Sequence, residues 1–178
     1  MGLNIVCVST ILFIAIYLIS YSLFDGFLID RFRVSVFMPS GAMVFLALVF
    51  ESRGIIGVAL GTLLISFFYL SEHTLGVSTI YAFLTGSGLY FARKLSACAL
   101  DLHVNLRAIT INQIAYIIVI FSSINTLISQ TFYYFLYPEN DFFLGFAENL
   151  ISNLLGAFLV LWLIRIAVHI HLFIFKKI

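Results

Sequence analysis

Six stretches of the chain are almost purely apolar, at about 3–24, 34–50, 54–70, 77–92, 108–130 and 145–172, and they are parted by short charged or glycine-bearing breaks. None alternates with a polar face in the way a helix lying on a water-washed core does. Each approaches the ~20 residues that carry a helix across ~30 Å of hydrocarbon. The pattern therefore predicts an all-α fold, a polytopic transmembrane helical bundle of about six helices forming one domain over residues 1–178. The second to fourth stretches are short and are expected to tilt little or to be partly buried in the bundle.

The breaks sharpen this reading. Glu51-Ser52-Arg53 and Ser71-Glu72-His73-Thr74 leave room only for tight helical hairpins. The longest connection, Phe132 to Phe142, carries Tyr133, Tyr134, Tyr137, Pro138, Glu139 and Asp141. That mix suits the headgroup zone, with Pro138 ending or bending the helix before it.

Polar positions inside the apolar stretches are costly in lipid, so they point to the bundle interior. The fifth stretch carries Asn112, Tyr116, Ser123, Thr126 and Gln130, with Asn125 and Ser129 beside them. The sixth opens with Glu148, Asn149, Ser152, Asn153 and Gly156, of which 149, 153 and 156 keep one helix face. Asn149 or Asn153 is expected to meet the stripe on the fifth stretch. Such a polar wedge serves either a ligand cavity or a helix–helix contact, and the spacing alone leaves both open. Pro39-Ser40-Gly41 predicts a broken helix whose freed backbone groups need internal partners, a feature that borders solute sites in membrane proteins. The candidate ligand-binding residues are thus Pro39, Asn112, Tyr116, Asn125, Glu148, Asn149 and Asn153. Gly54, Gly57 and Gly61 are read as sites of close helix approach, and Gly86 and Gly88 either do the same or break the fourth stretch.

Composition agrees with the bilayer. Of 178 residues, 63% are hydrophobic and 10% charged, against about 45–50% and ~25% in soluble domains. A net charge of +1, with no basic run beyond Lys176-Lys177, excludes nucleic acid as a main partner. Cys7 and Cys98 are too few for a disulfide framework and read as small hydrophobes. The first stretch has no basic leader region and no A-x-A before Asp25, so it is expected to be retained as a helix. Arg53, Arg93, Lys94, Arg107, Lys176 and Lys177 fall on the N-terminal side of a six-span topology and Arg31 and Arg33 opposite. By the positive-inside rule both termini are expected in the cytoplasm, with the chain in the inner (cytoplasmic) membrane.

The remaining candidates are weak. His73, His103, His169 and His171 are scattered, and His169-x-His171 and Asp101-x-His103 place their partners on opposite faces of a helix. Glu72-His73 reads as a solvated turn. With no H-E-x-x-H and no paired carboxylates one turn apart, neither a metal site, a cofactor nor an enzyme is expected. The loops are too small to fold into an output domain, so an effect on the cell is expected to pass through another chain.

One resemblance adds to this. Val34-Ser35-Val36-Phe37-Met38-Pro39-Ser40-Gly41 at a helix start, Gly57 and Gly61 in the next helix, and Asn153-Leu154-Leu155-Gly156 in the last resemble the membrane-associated sensor (MASE-type) domains. Those domains commonly open with aromatic-Pro-Pro-small-Gly and close with Asp-x-x-Gly; here Phe37 stands for Trp, Met38 for the first Pro and Asn153 for Asp. The family usually precedes a diguanylate cyclase or histidine kinase. The resemblance implies a sensory or small-ligand-binding membrane module that acts through a partner chain. Two other functions fit the size: the substrate-binding membrane subunit of an energy-coupling-factor-like transporter, and an assembly subunit of a membrane complex. The first of these lacks a clear Ala-x-x-x-Ala docking pattern here.

Overall fold

The computed structural model describes residues 2–24, 28–30, 33–34, 36–69, 74–100, 110–139 and 141–175, the side chains of 28–30, 33–34 and 168–175 excepted. Six helices follow in chain order: α1 (Gly2–Phe24), α2 (Pro39–Val49), α3 (Glu51–Phe68), α4 (Leu75–Ala99), α5 (Ile111–Leu136) and α6 (Phe142–Phe175). A short antiparallel ribbon between α1 and α2 pairs β1 (Leu28–Asp30) with β2 (Arg33–Val34), opposing Leu28 to Val34 and Asp30 to Arg33. The protein is a polytopic all-α bundle.

Helix starts are set by side chains that satisfy the orphan amides of the first turn. Thr110 and Gln113 form a capping box on α5, the Gln113 amide donating to Thr110 Oγ1 at 3.3 Å and the Thr110 amide to Gln113 Oε1 at 2.9 Å. The Thr74 hydroxyl accepts from Val77 on α4, and Asp141 Oδ1 accepts from the Leu144 amide at 2.9 Å on α6. These caps place α4 and α6 two and three residues earlier than the apolar pattern does, and α5 three later. Helix α4 also runs on through Arg93 and Lys94 to Ala99, because charged residues end an apolar pattern without ending a helix. Tyr133 and Tyr134 are helical, since α5 runs on to Leu136, and the α5–α6 connection is shorter than expected, while Glu51-Ser52-Arg53 is the first turn of α3. The break between α3 and α4 at 70–73, with Glu72 and His73, lies outside the described residues, as do Asp101, His103 and Arg107.

Helix α2 departs most from the six-span expectation. Among the described residues five helices are long and apolar enough to cross a membrane, whereas α2 has 11 residues and reaches about 16 Å at 1.5 Å per residue. It begins at Pro39, whose fixed φ and missing N–H suit a first helical position, and ends at Phe50, where the chain turns into α3 through Glu51 at φ 53°. Eight of its residues, Pro39–Val44, Leu46 and Ala47, are buried, so α2 is the core of the bundle rather than part of its lipid-facing wall.

The other helices wrap it. Gly57 of α3 lies against Val6, Ser9 and Thr10 of α1, and Gly61 against Phe13, so α1 and α3 run parallel. Thr10 Oγ1 clips the pair by donating to the Gly57 carbonyl at 3.1 Å. The Glu51–Arg93 ion pair at 2.8 Å and the approach of Gly86 to Ala59 set α4 antiparallel to α3. Gly88 against Ile124 and Ile128, and Tyr81 stacked on Phe132, set α5 antiparallel to α4. Phe13, Met43, Leu46, Ala47, Val58, Leu89, Ala92, Ile117 and Phe121 form one apolar core around α2. Small residues at these contacts let backbones approach, which in lipid replaces the water-driven burial available to soluble proteins.

Candidate functional site

The N-terminal end of α2 is tied down from two sides. Ser20 Oγ of α1 donates to the Val36 carbonyl and accepts from the Met38 amide, both at 3.3 Å. From α6, the Ser152 carbonyl accepts the Phe37 amide at 3.1 Å, and the Asn153 carbonyl accepts the Ser40 hydroxyl at 2.6 Å. Gly156 sits directly under the Phe37 carbonyl, and Gly41 sits against Gly156, Ala157 and Val160. The Phe37–Gly41 segment and the Asn153–Gly156 segment, far apart in sequence, thus dock on each other. With the Ser40 and Gly41 amides donating to Phe37 and Met38 carbonyls, the start of α2 presents no free amide for an anion.

Beside this junction α5 and α6 are knitted by amides. Positions 126 and 130 lie one turn apart, as do 149 and 153, so two antiparallel helices bring the pairs level. Asn149 Nδ2 donates to Gln130 Oε1 at 2.9 Å, Asn153 Nδ2 to Thr126 Oγ1 at 3.1 Å and to the Asn149 carbonyl at 2.9 Å, and Asn125 Nδ2 to Asn153 Oδ1 at 3.2 Å. Asn153 is 4% exposed and Gln130 1%; Gln130 Nε2 faces Gly145 and has no hydrogen bond.

Because α2 is short, the space beside its first turns is not filled. A cavity of about 90 Å³ remains, bounded by all six helices or their flanks. Phe13 and Tyr17 come from α1, Phe37 and Met43 from the start of α2, Thr62, Ile65 and Ser66 from α3, and Tyr81 from α4; Asn125, Ser129 and Tyr133 come from α5, and Asn149, Ser152 and Asn153 from α6. Tyr17 meets Phe37 edge-on at 6.1 Å, and Tyr81 meets Tyr133 at 5.8 Å. Thr62 is a lining residue, and its buried hydroxyl makes no hydrogen bond.

Of the residues expected at a site, the structure brings Asn125, Asn149 and Asn153 together on one wall. The alternatives of helix glue and cavity lining are both realised by these three amides. Pro39 is buried at the first turn of α2 and packs within the protein, not on the cavity. Glu148 is half-buried on α6 and outside the lining. Asn112 and Tyr116 are corrections: Asn112 is exposed in the first turn of α5 and Tyr116 is 61% exposed. At about 100° per residue Tyr116 lies roughly 80° round the helix from Thr126, and the bundle covers only the Thr126 side.

The aromatic walls Phe13, Tyr17 and Tyr81 carried no signal in the apolar pattern, which treats aromatic residues as lipid-compatible, and Tyr133 was expected in the headgroup-zone connection rather than in the bundle. Thr62 and Ser66, one turn apart in an apolar stretch, were the trace that could have been read. His169 and His171 lie on α6 with side chains outside the described residues; among the described residues no three His, Cys, Asp or Glu side chains gather as a metal site. No protein-family model, no curated protein and no solved structure matches the chain.

Proposed function

We propose that this protein is a membrane-embedded small-ligand-binding module of the sensory kind, which passes the state of its cavity to a separate partner chain. The observation that carries the reading is the cavity at the start of α2, with its wall of three asparagine amides. The same place is where the two segments resembling MASE-type domains dock, so a ligand beside Met43 and Phe37 would press on the junction that fixes α2. A packing subunit needs no such space. Lining residues from α1, α2 and α3 also favour a second reading, the substrate-binding subunit of a transporter. In both readings the end bearing Arg53, Arg93 and Lys94 faces the cytoplasm of the inner membrane.

Native mass spectrometry of the protein extracted with its surrounding lipid tests this. A retained small molecule, lost on Asn153→Leu, is the expected result, and a co-purifying ATPase rather than a signalling enzyme would favour transport. A stoichiometric partner with no small molecule in any preparation would overturn both.

A further inference from the structure

We infer that the cavity selects an uncharged molecule with a flat apolar body and at least one hydrogen-bond donor, an inference that rests on the ligand-binding reading above. Charge is the first filter. Among the described lining residues there is no Asp, Glu, Lys, Arg or His, so a charged solute would enter a low-dielectric space without a counter-ion.

The amide wall supplies the second filter. Each asparagine amide offers two hydrogens and two oxygen lone pairs. Across Asn125, Asn149 and Asn153, four of six hydrogens are engaged and one of six lone pairs, leaving five acceptor positions against two hydrogens. Asn125 Oδ1 and Asn149 Oδ1 accept no hydrogen bond among the described residues. A ligand hydroxyl or N–H meets that excess, whereas a ligand that only accepts leaves it unmet.

Shape is the third filter. Phe13, Tyr17, Phe37, Tyr81 and Tyr133 line the cavity, and aromatic faces and edges are surfaces suited to a flat ring. The volume of about 90 Å³ corresponds to room on the order of six waters, and so to a ligand of fewer than about ten heavy atoms.

The test is saturation-transfer NMR on the full chain in lipid nanodiscs, read against empty nanodiscs, with phenol, toluene, benzoate and benzylammonium as probes. Phenol is expected to bind, toluene at least fivefold more weakly, and the two ions at least tenfold more weakly. Asn125→Leu should bring phenol down to the level at which that same variant still binds toluene, the retained toluene signal showing that it is folded, and the exposed Asn112→Leu should leave both probes unchanged. Equal binding of phenol and toluene, preference for either ion, or no binding of any probe overturns the inference about class. The ligand reading itself stands or falls separately, on whether native mass spectrometry finds a retained molecule.

Discussion

Gly156 lies directly beneath the carbonyl of Phe37, so closely that a β-carbon there would occupy the carbonyl's place. Only hydrogen at this position lets the chain entering α2 lie on α6 and donate from Phe37 to the Ser152 carbonyl. Gly156→Ala is expected to push this segment off α6 and to destabilise the bundle by about 1–3 kcal/mol, read as a fall in thermal midpoint in detergent. Gly76→Ala is the control: an added β-carbon would meet only Thr74 Oγ1, at 3.9 Å, so stability should be unchanged or raised by up to ~1 kcal/mol through helix propensity.

Asn153 ties three helices: its side chain bonds Thr126, Asn125 and the Asn149 carbonyl, and its own carbonyl receives Ser40. Interhelical hydrogen bonds in membranes average ~0.6 kcal/mol, so Asn153→Leu should cost about 1–2 kcal/mol. Asn112→Leu, on the exposed start of α5, should stay within about 0.5 kcal/mol. Paired unfolding midpoints check this, and equal losses would contradict the outward placement of Asn112.

Two buried serines should respond in opposite ways. Ser40 Oγ contacts the Phe37 carbonyl at 2.8 Å and the Asn153 carbonyl at 2.6 Å, and Ser40→Ala leaves the second without that donor at a cost of about 1 kcal/mol. Ser122 Oγ is buried without a partner. Ser122→Ala removes an unmet polar group and should be neutral or stabilising, and the sign of the difference in midpoint decides the matter.

The bilayer fold was legible because its signal is summed over whole stretches: no local choice can hide 23 residues such as those of α1. Helix α2 was harder to read, since Val34–Val49 is apolar throughout whether it spans or merely sits inside. Pro39 marked the start, but the length that made α2 a core element depends on its neighbours. At the site, the one-turn pairs 126/130 and 149/153 predicted a facing pair of helices, which is a local and periodic property. That the stripe leaves the bundle at Tyr116 depends on how far the neighbouring helices cover α5, which no single helix encodes. The aromatic walls follow the same logic, because Tyr81 and Tyr133 become a surface only when α4 and α5 pack antiparallel.

The direction of the bundle can be read from its own cysteine. Cys98 is exposed one residue before the end of α4, near the end that carries Glu51, Arg53 and Arg93. Glu139 is exposed just past α5, at the opposite end. In a Cys7→Ser background, a membrane-impermeant maleimide is expected to label Cys98 in inverted vesicles and not in right-side-out ones. A Cys7→Ser, Cys98→Ser, Glu139→Cys chain should show the reverse. This expectation follows the proposed orientation, in which the end bearing Arg53, Arg93 and Lys94 faces the cytoplasm and Glu139 lies at the other end. Labelling from exchanged faces would invert the orientation and leave the fold intact. Labelling of both positions from one face would mean that α5 does not cross the bilayer between them, and the antiparallel pairing of α4 with α5 could not then hold within a membrane.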